Sequence, residues 1–211
     1  VYGMTSSPVL EQFQQKCAAV LRLELRKNKE IERFRDSEKS GNALDETTPP
    51  EPETLYGQVK LAAEEALKAL ATPGFVTASL RVTGVYGPAG PGRLHKWAGL
   101  FADYLAGRPV PPRIGTEVHG DDVAQAVRLM LEADAANVSG KVFNVSDVLT
   151  DSREILAIFQ SVTGCPHALP QAADPTGFKV MSTERLRALG WMPGGRDRLA
   201  ATIRELARDA R

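Results

Sequence analysis

LYGQVKLAAEEAL (residues 55–67) and FVTASLRV (residues 75–82) are the two stretches that decide the fold of this chain of 211 residues. The first predicts a helix that begins near residue 54 or 55 and continues to about Ala71, where Pro73-Gly74 ends it. The second predicts a buried strand, which closes in a stretch rich in glycine and proline that reaches residue 92. A helix that leads directly into a buried strand is typical of an α/β domain.

Downstream of residue 92 the pattern keeps alternating between helices and strands. Asp151 or Ser152 has the side chain expected of a helix cap. The alternation with short connections is typical of an α/β domain with parallel strands. In chain order we predict a helix at 94–106, a short strand at 113–119, a helix at 121–133, a strand at 141–145, and helices at 151–163, 183–189 and 197–208.

The first 44 residues differ from the rest, so we divide the chain into an N-terminal segment, 1–44, and a main part, 45–211. An apolar stripe at helical spacing, followed by a run of mixed charges, predicts a long amphipathic helix over residues 9–39. A helix with only half an apolar face needs a partner to be stable. A solvated surface helix, a partner-binding helix and a gene-model artefact are the three interpretations of this segment.

Composition excludes several classes of function. The chain has 26 Lys and Arg against 26 Asp and Glu, so no overall field attracts nucleic acid or an anionic membrane. Its two cysteines, Cys17 and Cys165, have no Cys or His at metal-ligand spacing, and a reduced, cytoplasmic protein without a metal site is therefore predicted. No apolar run approaches the roughly 18 residues of a membrane span.

The pattern Tyr56-x-x-x-Lys60 lies inside the first predicted helix. Spacing i, i+4 places both side chains on one helical face, one turn apart. An ammonium group beside a tyrosine favours the ionised phenolate, so such a pair can pass a proton to or from a carbonyl or hydroxyl while a cofactor handles hydride. The same spacing also arises by chance on the surface of an amphipathic helix, and the pattern alone does not distinguish the two.

Five segments in a fixed order resemble the extended short-chain dehydrogenase/reductases of the NAD-dependent epimerase/dehydratase family. The resemblance spans residues 45–211 and implies a partial Rossmann-like parallel sheet, made of the C-terminal strands, with a small mixed α/β substrate-binding lobe and an atypical N-terminal helix. The segments are the acidic, proline-containing loop with the Tyr56 helix (45–64), LRVTGVYGP (80–88), HGDDVAQAV (119–127), VFNVS (142–146) and LRALGWMP (186–193).

Under this resemblance Tyr56 is the catalytic acid/base, and Lys60 contacts the nicotinamide ribose of NAD or NADP. His119 and Asp122 are expected mainly to order the helix that follows them. No metal-binding residue is implied. The implied cofactor-binding residues are Tyr56, Lys60, Thr83, Gly84 and Val85, and the implied substrate-binding residues are Gly84, Tyr86, Arg113 and His119.

The chain departs from the family in its nucleotide-binding features. The Gly-rich turn between the first strand and helix is missing. Its nearest likeness, G-x-x-G-x-x-G at 84–90, has Pro88 inside the turn and no acidic residue about 20 positions on. Family members carry a catalytic Ser or Thr shortly before a tripeptide like Val1-Tyr2-Gly3, and the hydroxyl residues at 5–7 lie on the wrong side of it to take that role.

Two substrate positions also depart from the family. Its members often have Asn where this chain has Gly84, and Arg where it has Gly115. The substrate class therefore stays open between a nucleotide sugar and a related, smaller carbonyl or hydroxyl compound.

The resemblance predicts an NAD(P)-dependent epimerase, dehydratase or reductase that acts on such a small-molecule substrate and is inactive as this chain alone. Without the first strands of the family's sheet, the strand at 75–82 would keep an exposed edge. A second copy of the chain or a complementing N-terminal half is the expected partner. The alternative is a non-catalytic interaction protein that uses the retained lobe and the 9–39 helix.

Overall fold

A computed structural model describes residues 43–210 of the chain. The helix predicted over 9–39 and the tripeptide Val1-Tyr2-Gly3 lie outside the described residues, so both remain predictions.

The described part alternates between helices and strands, as the sequence predicted. None of its helices combines the length and the apolar composition that a bilayer span requires. In chain order the elements are α1 (Leu55–Leu70), β1 (Ala78–Val82), β2 (Gly84–Tyr86), α2 (Ala98–Leu105), β3 (Ile114–His119), α3 (Gly120–Glu132), α4 (Ala135–Val138), β4 (Lys141–Val145), β5 (Val148–Asp151), α5 (Ser152–Thr163), α6 (Glu184–Arg187) and α7 (Gly195–Asp209).

The strands form two sheets that share one run of chain. β1 pairs in parallel with β4, and β2 pairs in parallel with β3, which also pairs with β5 in the antiparallel sense. Only Thr83 separates β1 from β2, so the chain passes from the first sheet to the second without a loop. Among the described residues, β4 is the only strand beside β1.

Two hydrophobic cores fill the space around these sheets. The first core joins β2 and β5 to α2, α5 and α7, and at its centre the rings of Phe101 and Phe159 stack with centroids 4.1 Å apart. The second core lies between β3, β4 and α3, and it includes Val118, Phe143 and Trp191. The indole Nε1 of Trp191 donates a hydrogen bond of 2.8 Å to the Asp122 carbonyl, which ties the C-terminal segment to α3.

Element bounds agree with the predictions most closely for α1, α5 and β4. β1 begins three residues later than predicted, because Phe75 and Val76 remain exposed and Thr72 bridges to Phe75 in a tight turn. The predicted turn after β1 instead begins with strand β2, which pairs with β3. The antiparallel strand β5 was not predicted, since its four residues give too short a pattern to recognise.

The acidic loop ahead of α1 is anchored to β4. The buried carboxylate of Glu46 accepts a hydrogen bond of 2.8 Å from the Asn144 backbone N–H, and Arg185 lies 3.8 Å away. The Asn144 side chain donates to the carbonyls of Leu44 and Ser182 at 3.1 Å each. The loop that precedes α1 therefore covers the edge of β4 that faces away from β1.

Replacing Phe159 by Ala should destabilise the protein by about 3–5 kcal/mol, because it opens a cavity beside Phe101 in a core that leaves Phe159 no exposed surface. Thermal or chemical unfolding measures this loss. Leu131→Ala is the control, since Leu131 is 80% exposed and its truncation should change the free energy of unfolding by less than about 0.5 kcal/mol. Equal losses in the two variants would contradict the described core.

Candidate functional site

Tyr56 and Lys60 lie on one exposed face near the start of α1. The Lys60 ammonium is 5.3 Å from the centroid of the Tyr56 ring, and Tyr56 is 40% exposed. The helix starts where it does because the Thr54 hydroxyl accepts a hydrogen bond of 3.1 Å from the Gly57 N–H. The structure thus brings the two predicted catalytic side chains into contact with each other and leaves both accessible.

An ion pair fixes the position of α1 along β1. Arg81 on β1 donates two hydrogen bonds to Glu64 on α1, at 2.9 and 2.7 Å. Just before β1, the Thr77 hydroxyl donates to the Leu67 carbonyl, near the C-terminal end of the helix. The helix and the strand therefore run in opposite directions. From Glu64 back to Tyr56 is about 12 Å of helix, so Tyr56 lies toward the carboxyl end of β1.

Gly84 is the first residue of β2 and the register partner of Glu117 on β3. Leu80 packs against the second core, whereas its neighbour Arg81 points the opposite way, to α1. Val118, the register partner of Val85, belongs to the second core as well. Because side chains alternate along a strand, Gly84 and Glu117 face away from Val118, on the same face as Tyr86 of the first core. Thr83, the residue before Gly84, donates two hydrogen bonds to the Val145 carbonyl, one from its N–H at 3.1 Å and one from its hydroxyl at 3.4 Å.

The space above Gly84 is filled by an ion pair that the sequence did not predict. Lys96 Nζ lies 2.5 Å from Glu117 Oε2, and the two side chains are 26% and 6% exposed. A Cβ atom on Gly84 would collide with Lys96 Nζ and would come within 2.5 Å of Glu117 Oε2, so a side chain there would have to displace the ion pair. The other carboxylate oxygen of Glu117 lies 3.8 Å from a Cβ atom built on Gly115.

Tyr86 and His119 lie beneath the surface of the lobe. The Tyr86 ring stacks on Trp97 at 5.2 Å and meets the edge of His119 at 5.1 Å. Burial raises the pKa of the Tyr86 phenol, and the nearby Asp147 and Asp122 carboxylates raise it further. Among residues 43–210 the Tyr86 hydroxyl has no hydrogen-bond partner. The two predicted substrate residues are therefore together but almost wholly buried.

His119 caps the helix that follows it. Its Nδ1 accepts a hydrogen bond of 3.1 Å from the Asp121 N–H, so the cap of α3 is His119 and not Asp121 or Asp122, which occupy the first turn. Arg113 is not brought to this end of β3. It precedes the strand, and six residues of extended chain place it about 20 Å from His119.

A second cluster of charges holds the start of α7. Asp147 accepts a hydrogen bond of 2.8 Å from the Gly195 N–H, and Asp122 accepts one of 3.1 Å from the Gly194 N–H. Arg198 lies 3.3 Å from Asp122. Burial raises the pKa of Asp147 above its ordinary range; the Gly195 hydrogen bond opposes this shift and the Asp122 charge adds to it.

Tyr56 and Lys60 offer a phenol and an ammonium at the carboxyl end of β1, where parallel α/β sheets bind their ligands. The turn at Gly84 offers no open backbone for a pyrophosphate, because Lys96 and Glu117 occupy it. Within residues 43–210, no group of three or more His, Cys, Asp or Glu side chains is arranged to hold a metal ion.

Three solved structures share this fold. The UDP-glucose 4-epimerase of Thermotoga maritima with UDP-glucose is 23% identical and has a TM-score of 0.61 over 80% of this chain and 58% of that chain. The UDP-glucose 4-epimerase of Thermus thermophilus with NAD is 28% identical, with a TM-score of 0.60 over 82% and 60%. The dTDP-glucose 4,6-dehydratase of Streptomyces venezuelae with NAD is 24% identical, with a TM-score of 0.57 over 79% and 55%.

These likenesses show a Rossmann-like α/β fold, and the α/β fold predicted for residues 45–211 is confirmed. The model of the family described as NAD dependent epimerase/dehydratase matches residues 34–146, more than half of the chain. The chain belongs to that family. It spans between 55% and 60% of the length of the three solved structures. No curated protein sequence matches it.

Asp147→Asn should stabilise the protein more at pH 7 than at pH 4. The pKa of Asp147 is raised on folding, so the folded state holds the proton more tightly, and stability falls as pH rises through the folded-state pKa. Asparagine stays neutral, and its oxygen can still accept from the Gly195 N–H. Urea unfolding at both pH values measures the difference. Asp103→Asn, in an exposed pair with Arg108, is the control and should show no such gain. A loss of equal size at both pH values would contradict the assignment.

Proposed function

We propose that this chain carries the substrate side of an NAD(P)-dependent epimerase, dehydratase or reductase, with Tyr56 as its acid/base. The observation that supports the proposal most is the contact between Tyr56 and Lys60 on the helix that packs along β1. A proton donor there can meet a substrate oxygen beside the last residues of the strand. The family membership of the chain agrees with this chemistry.

Each residue has a separate part in the proposed reaction. Bound NAD or NADP would accept hydride from a substrate carbon or return it. The Tyr56 phenolate would take the proton from the substrate hydroxyl, or in the reverse direction the Tyr56 phenol would give its proton to the carbonyl oxygen, and the Lys60 ammonium stabilises the negative charge on the phenolate. Lys60 would also hold the cofactor ribose, and Thr83, Gly84 and Val85 would border the nicotinamide.

A nucleotide sugar is the proposed substrate class, with a related carbonyl or hydroxyl compound as the wider class. The supporting observation is that two of the similar structures are UDP-glucose 4-epimerases, one of them with UDP-glucose, and another is a dTDP-glucose 4,6-dehydratase. The match to each of them covers most of this chain, so the likeness includes the lobe that surrounds Lys96 and Glu117.

The rest of the cofactor site is proposed to come from outside these residues. The sequence has no Gly-rich dinucleotide turn, and the chain spans 60% or less of the three solved structures. We therefore expect weak NAD(P) binding by the 211 residues alone, and activity together with an N-terminal half in the same protein or in a complementing chain. A cytoplasmic location, inferred from the use of cysteine, remains a prediction.

A non-catalytic interaction protein is the second candidate. Two features of the described part favour it: α1 has no buried residue, and β1 has no strand beside it other than β4. An exposed helix and a free strand edge are surfaces to which another protein segment can bind. The same two surfaces would be covered in a complete nucleotide-binding domain, so they do not by themselves decide between the candidates.

Binding of NAD(P)(H) distinguishes the catalytic proposal from the interaction-protein candidate. Calorimetry should be carried out on this chain and on a version extended upstream through a nucleotide-binding half. The catalytic proposal expects binding by the extended form. If the extended form binds neither nucleotide, the interaction-protein candidate replaces the catalytic proposal.

Tyr56→Phe in the NAD(P)-binding form should lower kcat by about 10²–10⁴-fold, because it removes the group that transfers the proton. The Kd for the cofactor should change little, since the ring and Lys60 remain. Steady-state kinetics and calorimetry measure the two quantities. Tyr104→Phe is the matched control: its hydroxyl donates to the His167 carbonyl at 2.6 Å, away from the site, and turnover should persist. Unchanged kcat in Tyr56→Phe would overturn the catalytic role.

A further inference from the structure

Tyr56, Lys60 and Glu64 follow one another at intervals of four residues along α1. Residues four apart lie one turn apart on the same side of a helix, so Lys60 has a phenol ring on one side and a carboxylate on the other. Its ammonium lies 5.3 Å from the centroid of the Tyr56 ring. Among residues 43–210 it forms no ion pair, either with Glu64 or with another carboxylate.

Arg81 gives the physical reason why Lys60 does not pair with Glu64. The Arg81 guanidinium donates to both carboxylate oxygens of Glu64, at 2.9 Å from Nε and 2.7 Å from Nη2. The side chains of Arg81 and Glu64 are only 22% and 17% exposed. A bidentate pair of this kind is stronger than a single contact, and its partial burial reduces screening by salt. The negative charge of Glu64 is therefore offset by Arg81.

We propose that Arg81 is a positioning residue for the catalytic pair: by binding Glu64, it keeps the Lys60 ammonium beside Tyr56. The proposal rests on the proposed function and adds one residue to it. Arg81 contacts neither substrate nor cofactor in the proposed reaction, and it acts only through Glu64 and Lys60.

Charge explains what the loss of Arg81 would do. Opposite charges four residues apart on a helix attract each other, so an unpaired Glu64 would draw the Lys60 ammonium toward itself. That movement takes positive charge away from the Tyr56 oxygen, where a phenolate needs it. An unbalanced carboxylate one turn away also opposes the effect of Lys60 without any direct contact.

Lys68 is the other cation one turn from Glu64. It lies in the last turn of α1, is exposed, and forms no ion pair within the described part of the chain. If the freed carboxylate paired with Lys68, Lys60 would remain beside Tyr56 even without Arg81. Removing Arg81 therefore decides between the two lysines, and only the pairing with Lys60 agrees with the proposal.

Nuclear magnetic resonance on the 211-residue chain tests the proposal without cofactor or substrate. In the native protein the Tyr56 ring should shift the Lys60 ε-methylene protons upfield. Arg81→Met should lose that shift, because Glu64 then attracts the ammonium. Arg81→Lys keeps a cation beside Glu64, although without the bidentate geometry, and should keep most of the shift.

Two variants of Glu64 separate positioning from a purely structural role of the ion pair. Glu64→Gln breaks the pair but leaves no carboxylate to attract Lys60, so the upfield shift should remain. Glu64→Gln combined with Arg81→Met should restore the shift that Arg81→Met loses. A purely structural role predicts loss in both single variants and no recovery in the double variant. Arg108→Met, in an exposed ion pair, is the matched control and should keep the shift.

Turnover of UDP-glucose by the NAD(P)-binding form is the second readout. Arg81→Met should lower kcat about 10-fold, a part of what proton transfer contributes, with little change in KM, and the double variant should recover the native kcat. The proposal is overturned if the upfield shift persists in Arg81→Met, if it stays lost in the double variant, or if kcat does not fall. The proposed function is decided separately, by the effect of Tyr56→Phe on turnover.

Discussion

The run of chain from Ala78 to Tyr86 belongs to two sheets at once, and the arrangement of the candidate site depends on that constraint. β1 is held by β4, β2 by β3, and the single residue between them is bound through its N–H to Val145. Covalent continuity leaves Gly84 no freedom relative to β1. Arg81 fixes α1 to the same strand through its ion pair with Glu64.

The buried charge of Glu117 is the second constraint, since its carboxylate needs both a cation beside it and room in the structure. A carboxylate as buried as that of Glu117 is costly unless a cation lies beside it. Lys96 provides that cation, and the two glycines at 84 and 115 provide the room. Gly84 cannot gain a side chain without displacing the pair.

The anchoring of β4 links these features to the start of α1. Asn144 uses its backbone N–H for Glu46 and its side chain for two carbonyls, so a single buried residue organises three segments of chain. The acidic loop therefore has a structural role, which is to hold the edge of the sheet at β4. Its carboxylate at Asp45 closes a local turn by accepting from Thr47 and Thr48, which lowers the pKa of Asp45.

The amino-acid sequence alone determined the α/β alternation, the helix of Tyr56 and Lys60, strand β4 and the cap of α5 at Asp151. Each of these is set within one turn or one short run of residues, where spacing and side-chain chemistry act over a few ångströms. Only the tertiary structure decided that Phe75 and Val76 stay outside β1 and that β5 joins β3. It also decided that Arg113 lies far from His119 and that Lys96 meets Glu117 above Gly84. Those outcomes depend on which strands become neighbours and in what register, and contacts between residues far apart in the chain leave no periodic pattern in the sequence.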